Sequence, residues 1–461
     1  MLPDLIEIIP LAAPVKAEIT VPGSKSITNR ALILAALADG EVILKGALWS
    51  EDTQIMVECL KELGFVVNVA ADPDDTCNRT ITMMGEGGMV PHGGTEAQPL
   101  ELFVGNAGTA ARFLAPFLCL GSAVYRLHGV PRMHERPQAA LFKALRELGY
   151  RIEAENSNDK LPARIYGTGP RRGKCQVSIE ESSQFASALL LSTGMGGWQV
   201  EIAGENEDES PYVAMTSKLM RAFPNKGGVF QIEPDASSGS YFWAAGWQKY
   251  RDRAAHEFSG TIRIEEADAL GLWVIVNGWP KSHWQIDQKF PDCLAETALT
   301  WSHVSQPAHK PVAIVSRKSD LGDSIMTAIV SAPFFVGASH FTDLGRLRVQ
   351  ECERVVALRT ELTKCGAKVV EEGDTLTVWP ATLHGAEIET YNDHRMAMCF
   401  AVLGLKVPGI RIKNPACVKK TFPNFFQKVA EPPPRGVGAE IWEVKDGQRT
   451  RKLSGEDLFA D

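Results

Sequence analysis

Three times in this chain a helical pattern ends in Leu-x-x-x-Gly and turns at once into a strand-like run. The copies are Leu60-Lys-Glu-Leu-Gly64 before Phe65-Val-Val-Asn-Val, Leu145-Arg-Glu-Leu-Gly149 before Tyr150-Arg-Ile, and Leu362-Thr-Lys-Cys-Gly366 before Ala367-Lys-Val-Val. Weaker versions stand at Leu219 to Phe223 and at Ala269-Leu270-Gly271. A helix stopped by glycine and followed directly by a strand is an α/β signature. Gly64 and Gly149 lie 85 residues apart, longer than a solenoid period, so each repeat unit is expected to hold several strands and helices. That such junctions recur in any α/β protein stays open at this point.

At 461 residues the chain exceeds one ordinary core, and two or three domains are expected. Hydrophobic residues at 44% and charged residues at 23% exclude a mainly disordered chain. The net charge of −8 argues against nucleic-acid or anionic-membrane binding, so positive charge for an anionic ligand has to be local. No apolar stretch reaches the roughly 20 residues of a membrane span, and the N-terminus lacks the basic region of a signal peptide. Nine cysteines, scattered without a C-x-x-C pair, suit reduced thiols in the cytoplasm. No metal or cofactor motif is present, and none is expected.

Several segments join small or polar residues to the start of an apolar helix. Pro22-Gly-Ser-Lys25-Ser26-Ile-Thr-Asn-Arg30 aims backbone N–H groups and cations at one spot, an arrangement suited to an anion. Gly105-Asn106-Ala-Gly108-Thr-Ala-Ala-Arg112 lets a ligand approach the backbone at Gly108. Pro131-Arg132-Met-His-Glu-Arg136-Pro137 sets two arginines between prolines, of which Arg136 reads as part of a solvated charge run. Glu181-Ser182-Ser183-Gln184-Phe185 offers two hydroxyls and an amide at a helix start. Arg348-Val-Gln350-Glu351-Cys-Glu-Arg354 places Glu351 and Arg354 on one face. Asn392-Asp-His394-Arg395-Met-Ala-Met and Lys419-Lys420-Thr-Phe-Pro423 follow. Each alone also fits a capped helix or a surface ion pair.

In this order, together with Asp235-Ala-Ser-Ser238, the motifs resemble the 5-enolpyruvylshikimate-3-phosphate synthase family from about Ile8 to Ala430. The resemblance implies a two-domain inside-out α/β barrel, each domain of three βαβαββ repeats, with the active site in the interdomain cleft. Residues 1–22 with 238–430 would form the first domain and 23–237 the second, with crossovers near Val21 to Ser24 and Asp235 to Gly239. Residues 431–461, opened by Pro432 to Pro434, are expected to be a mobile extension.

The implied reaction moves the enolpyruvyl group of phosphoenolpyruvate onto the hydroxyl of shikimate 3-phosphate and releases phosphate, as in aromatic amino acid biosynthesis. Such a site needs cations and a proton shuttle. By resemblance Lys25, Arg132 and Gln184 hold the phosphate, and Asn106 and Gly108 line its pocket. Arg354, Arg395 and Lys420 grip the carboxylate, for which a guanidinium fork is well shaped. Asp292 is the base, Glu351 and Lys25 are the proton donors, and His394 supports the site. On the acceptor side Ser26 and Arg30 meet the shikimate carboxylate, and Ser182, Ser183 and Tyr212 its phosphate.

Glu209 stands where the family has a serine, Arg346 where it has asparagine, and Gln350 where it has a phosphate-binding lysine. These changes raise the alternative of an altered, possibly unphosphorylated acceptor. A catalytically idle scaffold is a further alternative, against which the retained Lys25, Asp292, Glu351, Arg354 and Lys420 argue. The related UDP-N-acetylglucosamine enolpyruvyl transferase carries a cysteine loop that Arg132 to Pro137 do not match.

Overall fold

The three glycine junctions are built alike. In the computed structural model Gly64, Gly149 and Gly366 have φ of +92°, +87° and +92°, the left-handed region that side chains with a Cβ avoid. Each helix closes with the same pair of backbone bonds. Gly64 N–H donates to the Lys61 carbonyl at 2.9 Å and Phe65 N–H to Leu60 at 3.1 Å; the matching bonds are 2.9 and 3.1 Å at Gly149 and Tyr150, and 3.0 and 3.0 Å at Gly366 and Ala367. These bonds satisfy carbonyls the helix end leaves orphaned, and they fix the angle at which the strand departs.

The structure describes residues 2–73, 75–180, 182–204, 210–257, 274–299, 313–335 and 337–460, without the side chains of 210, 248–257 and 296–299. Glu181, Glu209 and the junction at Ala269 to Gly271 lie outside the described residues. Two compact units divide the chain: Met1–Val21 with Pro234–Asp461, and the contiguous Pro22–Glu233. The changeovers thus fall at Val21/Pro22 and Glu233/Pro234.

In the contiguous unit, one sheet runs Leu100–Phe103, Val124–His128, Ala163–Tyr166, Arg151–Ala154. Its first pair is parallel and the next two are antiparallel. The sheet of Gly228–Gln231, Asp39–Leu48, Asn78–Glu86 and Val67–Ala71 repeats that order. In the other unit Ala313–Ser316, Ser339–Thr342, Thr375–Val378 and Val369–Glu372 repeat it again. Along the chain the units opened by Leu100–Phe103 and Ala313–Ser316 run strand, helix, strand, helix, strand, strand, with the glycine junction between second helix and third strand; in the remaining unit the strand Gly228–Gln231 comes last instead of first.

Each unit buries a trio of helices. Lys25–Leu37, Gly108–Cys119 and Ser183–Gly196 pack on one another in the first, and Ala236–Glu257, Ile325–Ser331 and His394–Gly404 in the second. A helix apolar on nearly every face belongs inside a core, and Ile27 to Leu37 and Ala110 to Cys119 are buried without interruption. No helix among the described residues is long and apolar enough to cross a membrane.

The expected mobile tail is instead ordered. Ile441–Lys445 pairs antiparallel with Leu5–Ile8 and continues through a hairpin into Gln448–Leu453. Ile441, Val444 and Leu453 are buried among charged residues, and an irregularity between Glu443 and Val444 interrupts the two-residue alternation that would have marked the strand in the sequence. Glu7, nearly buried, accepts from Arg449 at 2.6 Å and Arg411 at 3.2 Å. Even the Pro432 to Pro434 stretch is held, since Glu18 N–H donates to the Pro434 carbonyl at 2.7 Å.

Candidate active site

The first turns of the buried helices carry the motifs. In the contiguous unit, Lys25, Gly108 and Ser183 begin the three central helices, and contacts between first turns show them aligned. Arg112 Nη1 donates to Gln184 Oε1 at 2.5 Å, and Gln184 Nε2 reaches Thr109 Oγ1 at 3.5 Å. Arg30 Nη2 donates to Ser187 Oγ at 3.1 Å and its Nε to Thr216 Oγ1 at 2.7 Å. Three helix starts at one end of a bundle add their partial positive charges, which places an anion site in an acidic protein.

Ser182 caps its helix, its hydroxyl accepting from Gln184 N at 3.2 Å. Ser26 lends its carbonyl to Arg30 Nη1 at 2.8 Å. Arg30 and Arg112 are buried and lie over the Phe113 and Phe185 rings at 5.2 and 5.3 Å, a face-on placement that favours a cation. Tyr212, on Ser210–Ala222, accepts from Thr216 through its carbonyl at 2.9 Å. Lys25 Nζ pairs with Asp52 Oδ2 at 3.2 Å. Arg136 Nη1 donates to the Asn106 carbonyl at 3.2 Å. Arg132, by contrast, has a side chain 68% exposed and pairs with Glu135; the structure does not bring it to Asn106 and Gly108.

In the other unit the charges interlock. Arg354, 1% exposed, donates from Nε to Asp393 Oδ2 at 2.7 Å and from Nη2 to Glu351 Oε2 at 2.8 Å. Lys420 Nζ reaches the other Glu351 oxygen at 2.9 Å. Arg395 Nε lies 3.2 Å from Asp323 Oδ2, and Arg317 Nη2 lies 3.1 Å from Asp323 Oδ1. Gln350 accepts from Arg354 Nη1 and extends Nε2 toward Asp323 at 3.5 Å. Arg346 lies in the 3-10 segment Leu344–Val349, which Gln350 caps.

Asp393 caps His394–Gly404 by accepting from Arg395 N at 2.8 Å. The two residues before it, Tyr391 and Asn392, both hold φ of +54°, strain that a non-glycine residue sustains only under external restraint. Tyr391 Oη donates to Glu361 Oε1 at 2.7 Å, and Asn392 accepts from Asn414 at 3.1 Å.

Burial alone would raise the Asp323 carboxyl, but the guanidinium groups of Arg395, Arg317 and Arg354 outweigh it and hold the group well below the usual carboxylate range. Burial likewise opposes, and Arg354 outweighs, at Asp393. His394 goes the other way, because burial drives it well below an ordinary imidazole despite Asp393 Oδ1 at 3.8 Å.

Asp292 is exposed on the first turn of Phe290–Leu299 and joins none of these groups among the described residues. Asp323, in Leu321-Gly-Asp-Ser324, is the aspartate that lies among Arg317, Arg354 and Arg395. The signal was available as a second small-residue–Asp pair before an apolar helix, Ile325–Ser331. Asp287 fixes that turn, accepting from Gly322 N at 2.7 Å and Ser324 N at 3.1 Å.

The fold is shared with solved α/β structures: EPSP synthase from Acinetobacter baumannii superposes with a TM-score of 0.70 at 21% identity, over 95% of this chain and all of that one. The enolpyruvyl transferase NikO from Streptomyces tendae follows at 0.61 and 14%, over 95% and 98%. Sequence narrows the class. The EPSP synthase (3-phosphoshikimate 1-carboxyvinyltransferase) family model matches residues 11–226 and 262–429. The 3-phosphoshikimate 1-carboxyvinyltransferase of Nostoc punctiforme is 35% identical over 92% of this chain and 98% of its own, and that of Opitutus terrae 37% over 93% and 97%. The chain belongs to the EPSP synthase family and is a transferase.

Proposed function

We propose that this enzyme transfers the enolpyruvyl group of phosphoenolpyruvate to the hydroxyl of shikimate 3-phosphate. The observation that carries the reading is the ring of Arg354, Arg395 and Lys420, each already holding a carboxylate of the protein. A substrate carboxylate competes for the same N–H groups. As Arg395 and Arg354 turn to it, Asp323 loses the charges that depress it and becomes a better base; Glu351, released by Lys420 and Arg354, becomes a better proton carrier.

The balance then closes. Asp323 takes the acceptor proton as oxygen bonds to C2, and Glu351 delivers a proton to C3. In the second half C3 gives that proton back to Glu351, the bond from C2 to the bridging phosphate oxygen breaks, and Lys25 protonates the leaving phosphate; the proton on Asp323 is released to solvent and Lys25 takes one up, which resets both groups. Lys25, Asn106, Gly108 and Gln184 serve the phosphate, and Ser26, Arg30, Ser182, Ser183 and Tyr212 the acceptor. The base role expected of Asp292 passes to Asp323. Relatives named for the phosphorylated acceptor, matching nearly end to end, support that acceptor over an altered one.

The test is phosphate release from phosphoenolpyruvate with shikimate 3-phosphate and with shikimate. Turnover is expected with the first alone, reduced about 10²- to 10⁴-fold by Asp323→Asn and little changed by Asp292→Asn. Preference for shikimate, or the reverse ranking of the two variants, overturns the reading.

A further inference from the structure

Lys420 lies between two anchored points. Its 3-10 turn, Pro415–Lys420, opens at Asn414, which holds a left-handed φ of +45°. Asn414 N–H donates to the Asp4 carbonyl at 2.8 Å, and its side-chain amide donates to Asn392 at 3.1 Å. Past Lys420 the chain enters Thr421-Phe-Pro423, where proline brings no N–H of its own. There the Pro423 carbonyl accepts from Ala460 N–H at 3.0 Å, so the second anchor comes from the tail.

That bond is one of a series. The tail folds back over the short helix Phe425–Ala430, where Val437 N–H donates to the Lys428 carbonyl at 3.1 Å, Ala439 N–H to Val429 at 3.0 Å and Gly438 N–H to Glu431 at 2.9 Å. These bonds satisfy carbonyls that the helix end leaves orphaned. The 3-10 turn Gly455–Leu458 packs against the same helix, and Gln427 Nε2 donates to the Gly455 carbonyl at 2.9 Å. Leu458 is fully buried and Ala460 nearly so. A helix of six residues has little stability of its own, and the tail encloses it.

Phe422, Phe425 and Phe426 are fully buried, and the Phe425 ring lies 5.7 Å from that of Tyr241. Tyr241 Oη in turn accepts from Arg395 Nη1 at 3.4 Å, while Lys420 Nζ stands 2.9 Å from Glu351. One aromatic block thus backs two of the cations assigned to the substrate carboxylate. Residues 431–461, which close over that block, lie beyond the stretch that the family model matches.

We propose that the tail is a positioning device for this carboxylate grip, in which Ala460, acting through Pro423, fixes the turn that aims Lys420. This rests on the function proposed above. Ala460 is a positioning residue and needs no contact with substrate. It removes freedom from the backbone that carries a long, flexible ammonium side chain. Ser26, Arg30, Ser182 and Ser183, assigned to the acceptor, belong to the other compact unit, so the effect should fall on phosphoenolpyruvate.

The test compares the full chain with Ala460→Pro, with a chain ending at Ser454 and with Glu456→Gln, an exposed control, by both KM values, kcat and hydrogen exchange at the amides of residues 421–430. Proline removes the donor at 460, and Phe459 already has the extended backbone, φ −85° and ψ 135°, that a following proline requires. Ala460→Pro should raise the phosphoenolpyruvate KM roughly 2- to 10-fold, the scale of one hydrogen bond, and the shortened chain should raise it further. In both, kcat and the acceptor KM should stay within about 2-fold, the pattern of binding lost equally from ground and transition states. Residues 421–430 should lose exchange protection while Leu5–Ile8 keeps its own, and Glu456→Gln should change nothing. Placed in Lys420→Met, Ala460→Pro should add less than about 2-fold, because coupled residues are not additive.

An unchanged phosphoenolpyruvate KM in Ala460→Pro, equal rises in both KM values, or an equal Ala460→Pro effect with and without Lys420 overturns the proposal. Ala460→Pro decides the matter if the shortened chain does not fold. A parent enzyme that releases no phosphate from phosphoenolpyruvate would instead refute the assigned reaction.

Discussion

The two units orient their buried arginines by opposite means. In the contiguous unit Arg30 and Arg112 donate to hydroxyl, amide and carbonyl oxygens and lie on phenylalanine rings. In the other, Arg317, Arg354 and Arg395 donate to Asp323, Asp393 and Glu351. A neutral oxygen fixes a guanidinium without cancelling its charge, whereas a carboxylate fixes it and neutralises it. In the reaction proposed above, the second arrangement suits an exchange of partners, in which a substrate carboxylate replaces a carboxylate of the protein.

The sharpest way to break this contrast is Arg354→Met. It strands the fully buried Asp393, and the expected loss is roughly 3–5 kcal/mol in denaturant unfolding, recovered in part by adding Asp393→Leu. A loss below about 1 kcal/mol would mean the pair does not hold this region.

An intermediate effect is expected from pH. His394 titrates below its ordinary value in the folded state, so the unfolded chain binds the extra proton and stability falls as pH drops below about 6.5. Asp323 and Asp393 are depressed; their contribution is complete above an unfolded carboxylate value of about 4 and declines as pH falls further. Unfolding measured from pH 8 to 3 should therefore show two steps, and His394→Gln should shrink the upper one, to which the partly buried His128 also contributes, and leave the lower one unchanged. A single step in the parent sinks the assignment.

The smallest change is Ser182→Ala, which removes a helix cap worth about 1 kcal/mol. It should raise the acceptor KM while leaving that of phosphoenolpyruvate alone. Equal increases in both would show that the cap shapes the whole helix start.

What was legible in the sequence is local. Gly64, Gly149 and Gly366 announce their turns because a left-handed residue after a helix needs glycine there and nowhere near it. The starts at Lys25, Gly108, Ser183 and His394 were readable for the same reason. Choices between similar neighbours were not. Asp292, after a proline, and Asp323, after a glycine, both stand at the start of an apolar helix, and only tertiary placement gives one of them three arginines. Arg132 and Arg136 differ by one helical turn, and the extended residue before Pro137 selects between them. The tail was missed because its partner strand, Leu5–Ile8, is more than 400 residues away, beyond any window of periodicity.

That pairing sets an order of manufacture. Leu5–Ile8 lies between Ile410–Lys413 and Ile441–Lys445, so this strand, once translated, waits for partners that leave the ribosome some four hundred residues later. Residues 22–233 form a compact unit of their own and can close early, as nascent domains do. A stop codon just before Ile441 would spare that unit and leave Leu5–Ile8 with a bare edge open to a neighbouring polypeptide.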